Sequence, residues 1–154
     1  MNKLDTLLTA LENDKTNNIM KTSKSEIKEE KNDILQQLQL PRELLKEYHE
    51  KLKNYRYINN IDGLESGHYI RWINLKDIEK SQQSPKHKQL YIPPINKGGY
   101  LCDIDVINDD VHLIMKSIYN RHFILKMSEV LVFKRLTDDE QIILSAMKYI
   151  QKNT

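Results

Sequence analysis

Scarcity marks this sequence more than abundance does. A single cysteine, Cys102, stands among 154 residues. One thiol forms no intramolecular disulfide and no CxxC metal knuckle, so a reducing compartment is the simpler setting. Long apolar runs are missing as well. The opening MNKLDTLLTALEND carries acidic residues and no run of signal-peptide length. Nothing approaches the roughly 18 apolar residues of a membrane span. The expectation is therefore an intracellular protein with no membrane partner. An excess of one charge is lacking too. Lys and Arg number 24 against 22 Asp and Glu, for a net charge of +2. That field is too weak for a purely electrostatic DNA binder, although it allows a local basic patch.

Catalytic and metal-binding signatures are also scarce. The five histidines, His49, His68, His87, His112 and His122, have no metal-ligand spacing. Asp103, Asp105, Asp109 and Asp110 lack the glycine and terminal glutamate of an EF-hand loop, and read as a solvated strand face and a turn. Lys97-Gly98-Gly99 is not in P-loop order and leads into a strand, so its glycines serve a turn or a bulge. No G-x-S-x-G, no HExxH and no Ser-His-Asp arrangement is present. The reading is a non-enzymatic protein with no catalytic residue, no metal and no cofactor.

What is there falls into two regions. Residues 1–60 have no glycine and one proline, Pro41. They read as a helical arm. Leu4, Leu7, Leu8 and Leu11 make one stripe, which NDKTNN ends. Ser25 is placed to cap a second helix with Ile27, Ile34, Leu35 and Leu38 on one face. Pro41 opens a third, with Leu44, Leu45, Tyr48, Leu52 and Tyr55. Stripes this narrow bury against each other, against the rest of the chain, or against a second copy, so the arm is either an intramolecular hairpin or a homo-oligomerising pair.

Residues 61–154 read as strands and a final helix. GHYIRWINL alternates, with Tyr69, Arg71, Ile73 and Leu75 on one face and Ile70 and Trp72 on the other. SQQSPKHKQ is a polar loop and LYIPPI is extended. YLCDIDVI puts Cys102, Ile104 and Val106 on an apolar face. VHLIMKSI and HFILKM alternate likewise, joined by the turns NDD and YNR. VLVFKRL is apolar throughout, like a strand covered on both sides. In LTDDEQIILSAMKYIQ, Thr137 and Glu140 form a capping box ahead of the stripe Ile142, Ile143, Ala146, Met147 and Ile150. The expected fold is α+β: an N-terminal helical arm, a small antiparallel SH3-like β-barrel and a C-terminal helix that caps it.

The basic and aromatic residues of the second region are the candidate contacts. They are Tyr69, Arg71, Lys86, Lys88, Tyr91, Lys97, Tyr100 and Arg121. Two readings use them. In the first, the barrel docks a protein partner as an interaction or scaffolding module, and the arm adds self-association. In the alternative, the aromatics stack bases and the cations meet phosphates, as in small nucleic-acid-binding barrels.

The succession GHYIRWINL, KGGYLCDI, VHLIMK and VFKRLTDDEQIILSAM resembles uncharacterised small proteins of nucleocytoplasmic large DNA viruses. The resemblance covers about residues 67–148. It implies a viral origin and a place in the host cytoplasm or the virion, and it implies no reaction.

Overall fold

The computed structural model describes residues 3–12, 19, 22–82 and 95–152. The fold is α+β, with N-terminal helices, a six-stranded antiparallel sheet and a C-terminal helix. The chain divides into two compact units, residues 1–34 with 136–154, and residues 35–135.

The first unit is helical. It holds α1 (Lys3–Glu12), most of α2 (Lys24–Gln36) and α5 (Asp138–Lys152). Its core is Ala10, Ile19, Ile27, Ile143 and Leu144, with Leu7, Leu136, Ile142 and Met147 against it. The stripe of α5, expected to cap a barrel, thus finds partners from α1 and α2. The capping box is formed as read: Thr137 Oγ1 accepts from the Glu140 N–H at 3.1 Å, and Glu140 Oε1 accepts from the Thr137 N–H at 3.0 Å. The cap of α2 is corrected from Ser25 to Ser23, whose hydroxyl accepts from the Glu26 N–H at 3.1 Å.

The second unit takes in the end of α2 and contains α3 (Arg42–Lys51), β1 (Tyr55–Ile58), β2 (Tyr69–Asn74), α4 (Leu75–Gln82), β3 (Gly99–Ile107), β4 (Asp110–Lys116), β5 (His122–Lys126) and β6 (Val130–Arg135). Tyr55 is not on the helix the periodicity predicts. The chain leaves α3 at Leu52, and the β-forming run Tyr-Arg-Tyr-Ile pairs with β6 instead. Leu75 likewise leaves the predicted strand. The Asn74 side chain accepts from the Lys76 N–H at 3.0 Å and starts α4. The expected break NDKTNN and most of the expected loop SQQSPKHKQ and extended LYIPPI lie outside the described residues.

The strand order is β1-β6-β2-β3-β4-β5, and every pair is antiparallel. The expected closed barrel is corrected to an open sheet. Both sides of β6 are taken, by β1 and β2, so no free edge of β6 remains to meet β5. The sheet nevertheless curls around a core on one face, made of Ile58, Leu64, Ile70, Leu101, Leu113, Met115, Val130 and Val132. The Trp72 and Phe123 rings, from β2 and β5, meet across that core with centroids 5.3 Å apart. The opposite face of β2 and β6 is covered too, since Ile73, Leu131 and Phe133 are buried. Arg71 shares that face and reaches the Lys51 carbonyl, which brings the end of α3 over it. This gives β6 the two covered sides that its continuous apolar run requires.

Two local devices set the register of the meander. Asn108 and Asp109 have φ of 52° and 64°, the left-handed pair of a two-residue hairpin turn. Cys102 is an extra residue, since Leu101 pairs with Met115 and Asp103 with Ile114. The bulge corrects the predicted alternation of YLCDIDVI. Leu101, not Cys102, joins Ile104 in the core, while Cys102 is half-buried.

Candidate functional site

One cross-strand row on the outer face of the sheet lines up three tyrosines with three basic side chains. Tyr55 stands opposite Arg135, and Tyr69 opposite Tyr100. Tyr100 stands opposite Lys116, and Lys116 opposite His122. Pairing of Ile70 with Lys134 sets Tyr69 beside Arg135, and the Arg135 guanidinium lies 4.4 Å from the Tyr69 ring centre. The row therefore reads Tyr-Arg-Tyr-Tyr-Lys-His through all six strands and contains no carboxylate. At about 4.8 Å per strand spacing, it is roughly 24 Å long.

The inner end of the row is structural. Burial pushes the Tyr55 hydroxyl above the usual tyrosine range, against the pull of Arg71 and Arg135. The Arg71 guanidinium sits 5.3 Å from the Tyr55 ring centre and donates to the Lys51 carbonyl at 2.9 Å. Arg71 is thus engaged in tying α3 to the sheet. Replacing Arg71 with alanine is expected to lower stability by about 1–2 kcal/mol. A urea titration measures this as an earlier midpoint. Tyr69 is held on several sides. Its hydroxyl donates to the Lys97 carbonyl, its ring meets Tyr100 edge-on at 5.0 Å, and Gly98 passes directly beneath it.

The outer end is accessible. Tyr100 is 43% exposed. It forms, with Lys116, one side of an open concavity of about 450 Å³. Ser66 and Gly67 line another part, and Ile118 and Asn120 a third. The Ser66–Gly67 turn is pinned to β3, since the Gly67 N–H donates to the Leu101 carbonyl and Ser66 Oγ to the Cys102 carbonyl. The other wall is the β4–β5 turn, braced by Ser117 Oγ, which accepts from the N–H groups of Tyr119 and Arg121. That turn lifts Tyr119 to 71% exposure. Such a surface can take a planar or anionic group and an apolar side chain together.

Of the eight residues expected from the sequence, the structure brings Tyr69 and Tyr100 together, with Lys97 joined to Tyr69 through its carbonyl. Arg71 lies on the same face of β2, and Arg121 in the β4–β5 turn beside the concavity. Lys86, Lys88 and Tyr91 lie outside the described residues. Lys116, His122, Ile118 and Ser66 were not singled out by sequence reasoning. The alternation of β4 and β5 places Lys116 and His122 on the outer face, but their alignment with Tyr100 depends on the Cys102 bulge. Among the described residues no three His, Cys, Asp or Glu side chains gather as a metal site, and no helix is long and apolar enough to cross a membrane.

No protein-family model, curated protein or solved structure matches the chain.

Proposed function

We propose that this chain is a non-enzymatic protein–protein interaction module of viral origin. It acts in the host cytoplasm or in the virion. Its sheet is an opened-out relative of the SH3-like barrel: the succession β6-β2-β3-β4-β5, curled on one core with a 3₁₀ turn from Met127 to Glu129 before β6, supports that reading. The observation that carries the function is the carboxylate-free row in which exposed Tyr100 and half-buried Lys116 lead out to His122, beside exposed Ile118 and Tyr119. Exposed aromatic and apolar groups mixed with cations are the composition of a protein interface.

The docking surface is tested by affinity capture from producing cells, with the full chain and with Tyr100→Ala/Lys116→Glu. The double variant should melt within a few degrees of the parent and lose the co-purifying proteins. An unchanged set of captured proteins counts against this surface. The helices of the first unit add valency by self-association, supported by exposed Leu4 and Leu8 on α1. Light scattering should give a multiple of 18.3 kDa for the parent chain and 18.3 kDa for Leu4→Glu/Leu8→Glu. A monomeric parent removes the self-association.

The second reading is nucleic-acid binding, and the same row favours it, since Tyr100 offers a ring face and Arg135 and Lys116 offer cations. Against it stand Asp103 and Asp105 on the outer face of β3, which set two carboxylates beyond Tyr100 on its own strand. Titration with labelled single- and double-stranded oligonucleotides separates the two. Binding that is tight at low salt and falls steeply as salt rises would favour nucleic acid.

A further inference from the structure

We infer that the free side of β5 receives an added strand from a partner protein, and that this strand carries acidic, aliphatic and acidic side chains at alternate positions. The inference rests on the protein-binding reading and specifies where and what it binds. Among the described residues the sheet ends at β5, which pairs with β4 on its other side. On the outer face β5 presents His122, Ile124 and Lys126, and Ile124 is 61% exposed. In register beside them β4 presents Lys116, Ile114 and His112. The two outermost strands therefore repeat one pattern, basic–apolar–basic. One strand further in, β3 places Asp103 opposite Ile114 and Asp105 opposite His112. Asp103 and Asp105 thus lie on β3, and the basic side chains His112, Lys116, His122 and Lys126 lie beyond them on β4 and β5. The one acid close to the basic pair is Asp110, whose carboxylate is 3.9 Å from His112 Nε2.

An incoming strand continues this sequence. Its outward side chains would meet His122, Ile124 and Lys126, so opposite charge at the two ends and an aliphatic group between them pair best. Its inward side chains would extend the core beyond Phe123 and Leu125. Main-chain hydrogen bonds along the edge supply affinity, and the side-chain pattern supplies selectivity. A second copy of this chain fits poorly. Two β5 strands in full antiparallel overlap would set Lys126 of each copy against His122 of the other, a pair with no attraction. The opposite edge, β1, has Tyr55 and Tyr57 on its outer face and brings no carboxylate to His122 or Lys126. A lysine on an edge strand is a usual defence against such self-pairing.

The test uses the full chain and a fluorescein-labelled peptide with alternating Glu-Val-Glu spacing. Three controls accompany it: the same composition with its glutamates adjacent, a Lys-Val-Lys counterpart, and the acidic peptide N-methylated at alternate amides. The alternating acidic peptide should bind by anisotropy, and the three controls should not. Binding should weaken by about tenfold or more on His122→Glu/Lys126→Glu, which alters two exposed positions, and the lysine peptide should then bind that variant. The single His122→Glu variant should gain self-association, because it becomes complementary to Lys126 of another copy. Equal binding of the alternating and adjacent-glutamate peptides would reduce the effect to net charge and overturn the inference. So would equal binding to parent and double variant, no binding at low salt, or displacement of the peptide by an equimolar oligonucleotide. If the peptide fails while the Tyr100/Lys116 capture result holds, only the β5 edge is withdrawn.

Discussion

Replacing Phe133 with alanine should lower the free energy of unfolding by about 3–5 kcal/mol. Phe133 is fully buried on β6, the strand with a neighbour on each side. It stands opposite Tyr57 of β1 and Arg71 of β2, and its ring centre is 5.7 Å from that of Tyr57. Truncation removes a large apolar group from a site whose two flanking strands are fixed by their backbone ladders. The cavity therefore cannot collapse, and the cost includes it. Equilibrium urea unfolding gives the number. A loss near 1 kcal/mol would mean that the face of β6 turned away from the main core is loosely packed.

Gly98→Ala should cost about 2–3 kcal/mol and open the joint between β2 and β3. Gly98 has φ of 92°, which disfavours any side chain, and an added Cβ would stand 2.7 Å from the Ile70 carbonyl oxygen and from the Tyr69 ring. The ladder between β2 and β3 there consists of Tyr69 opposite Tyr100 and Ile70 opposite Gly99. A clash at this point acts on the shortest ladder in the sheet. Gly67→Ala is the control. Its φ is 96°, but an added Cβ meets nothing within 4 Å. It should cost only about 1 kcal/mol, the price of the backbone conformation alone. Hydrogen exchange should show faster exchange at Gly99 to Leu101 in Gly98→Ala and little change there in Gly67→Ala. Equal effects from the two variants would remove the close approach as the cause.

Much of this fold was legible because one physical rule dominated each segment. The capping box at Thr137 and Glu140 is a local exchange of hydrogen bonds, written in two residues three apart. The apolar faces of β4 and β5 follow strict alternation. Ile70 and Trp72 share the core face because no bulge intervenes between them. The reading failed where a distant partner overrode the local pattern. Tyr55 continues the apolar stripe of α3, yet strand pairing to residue 135 takes it. Sheet closure depends on which edges of β6 are occupied, and that follows from β1, a strand hidden at the end of a helical pattern. Cys102 shows the same limit at one residue. Alternation assigned it to the core, and a single-residue bulge moved it aside.

The site was half legible for the same reason. Tyr69, Arg71 and Tyr100 carry their chemistry in their own side chains, and the strand pattern put them on the sheet. Lys116 and His122 become part of the row only through registers set by the two-residue turn at Asn108 and Asp109, the bulge, and the Ser117–Arg121 turn. The concavity depends on bringing Ser66 and Gly67 against β3, more than 30 positions away in the chain.

The central claim is that a protein partner occupies the surface around Tyr100, Lys116 and the β4–β5 turn. Its most direct test places a photo-crosslinking phenylalanine derivative at position 119 of the full chain in producing cells, with the same group at exposed position 149 for comparison. The account predicts one or a few discrete protein adducts from position 119 that are absent from position 149 and lost with Lys116→Glu. Adducts to nucleic acid alone, or the same adducts from both positions, would contradict it.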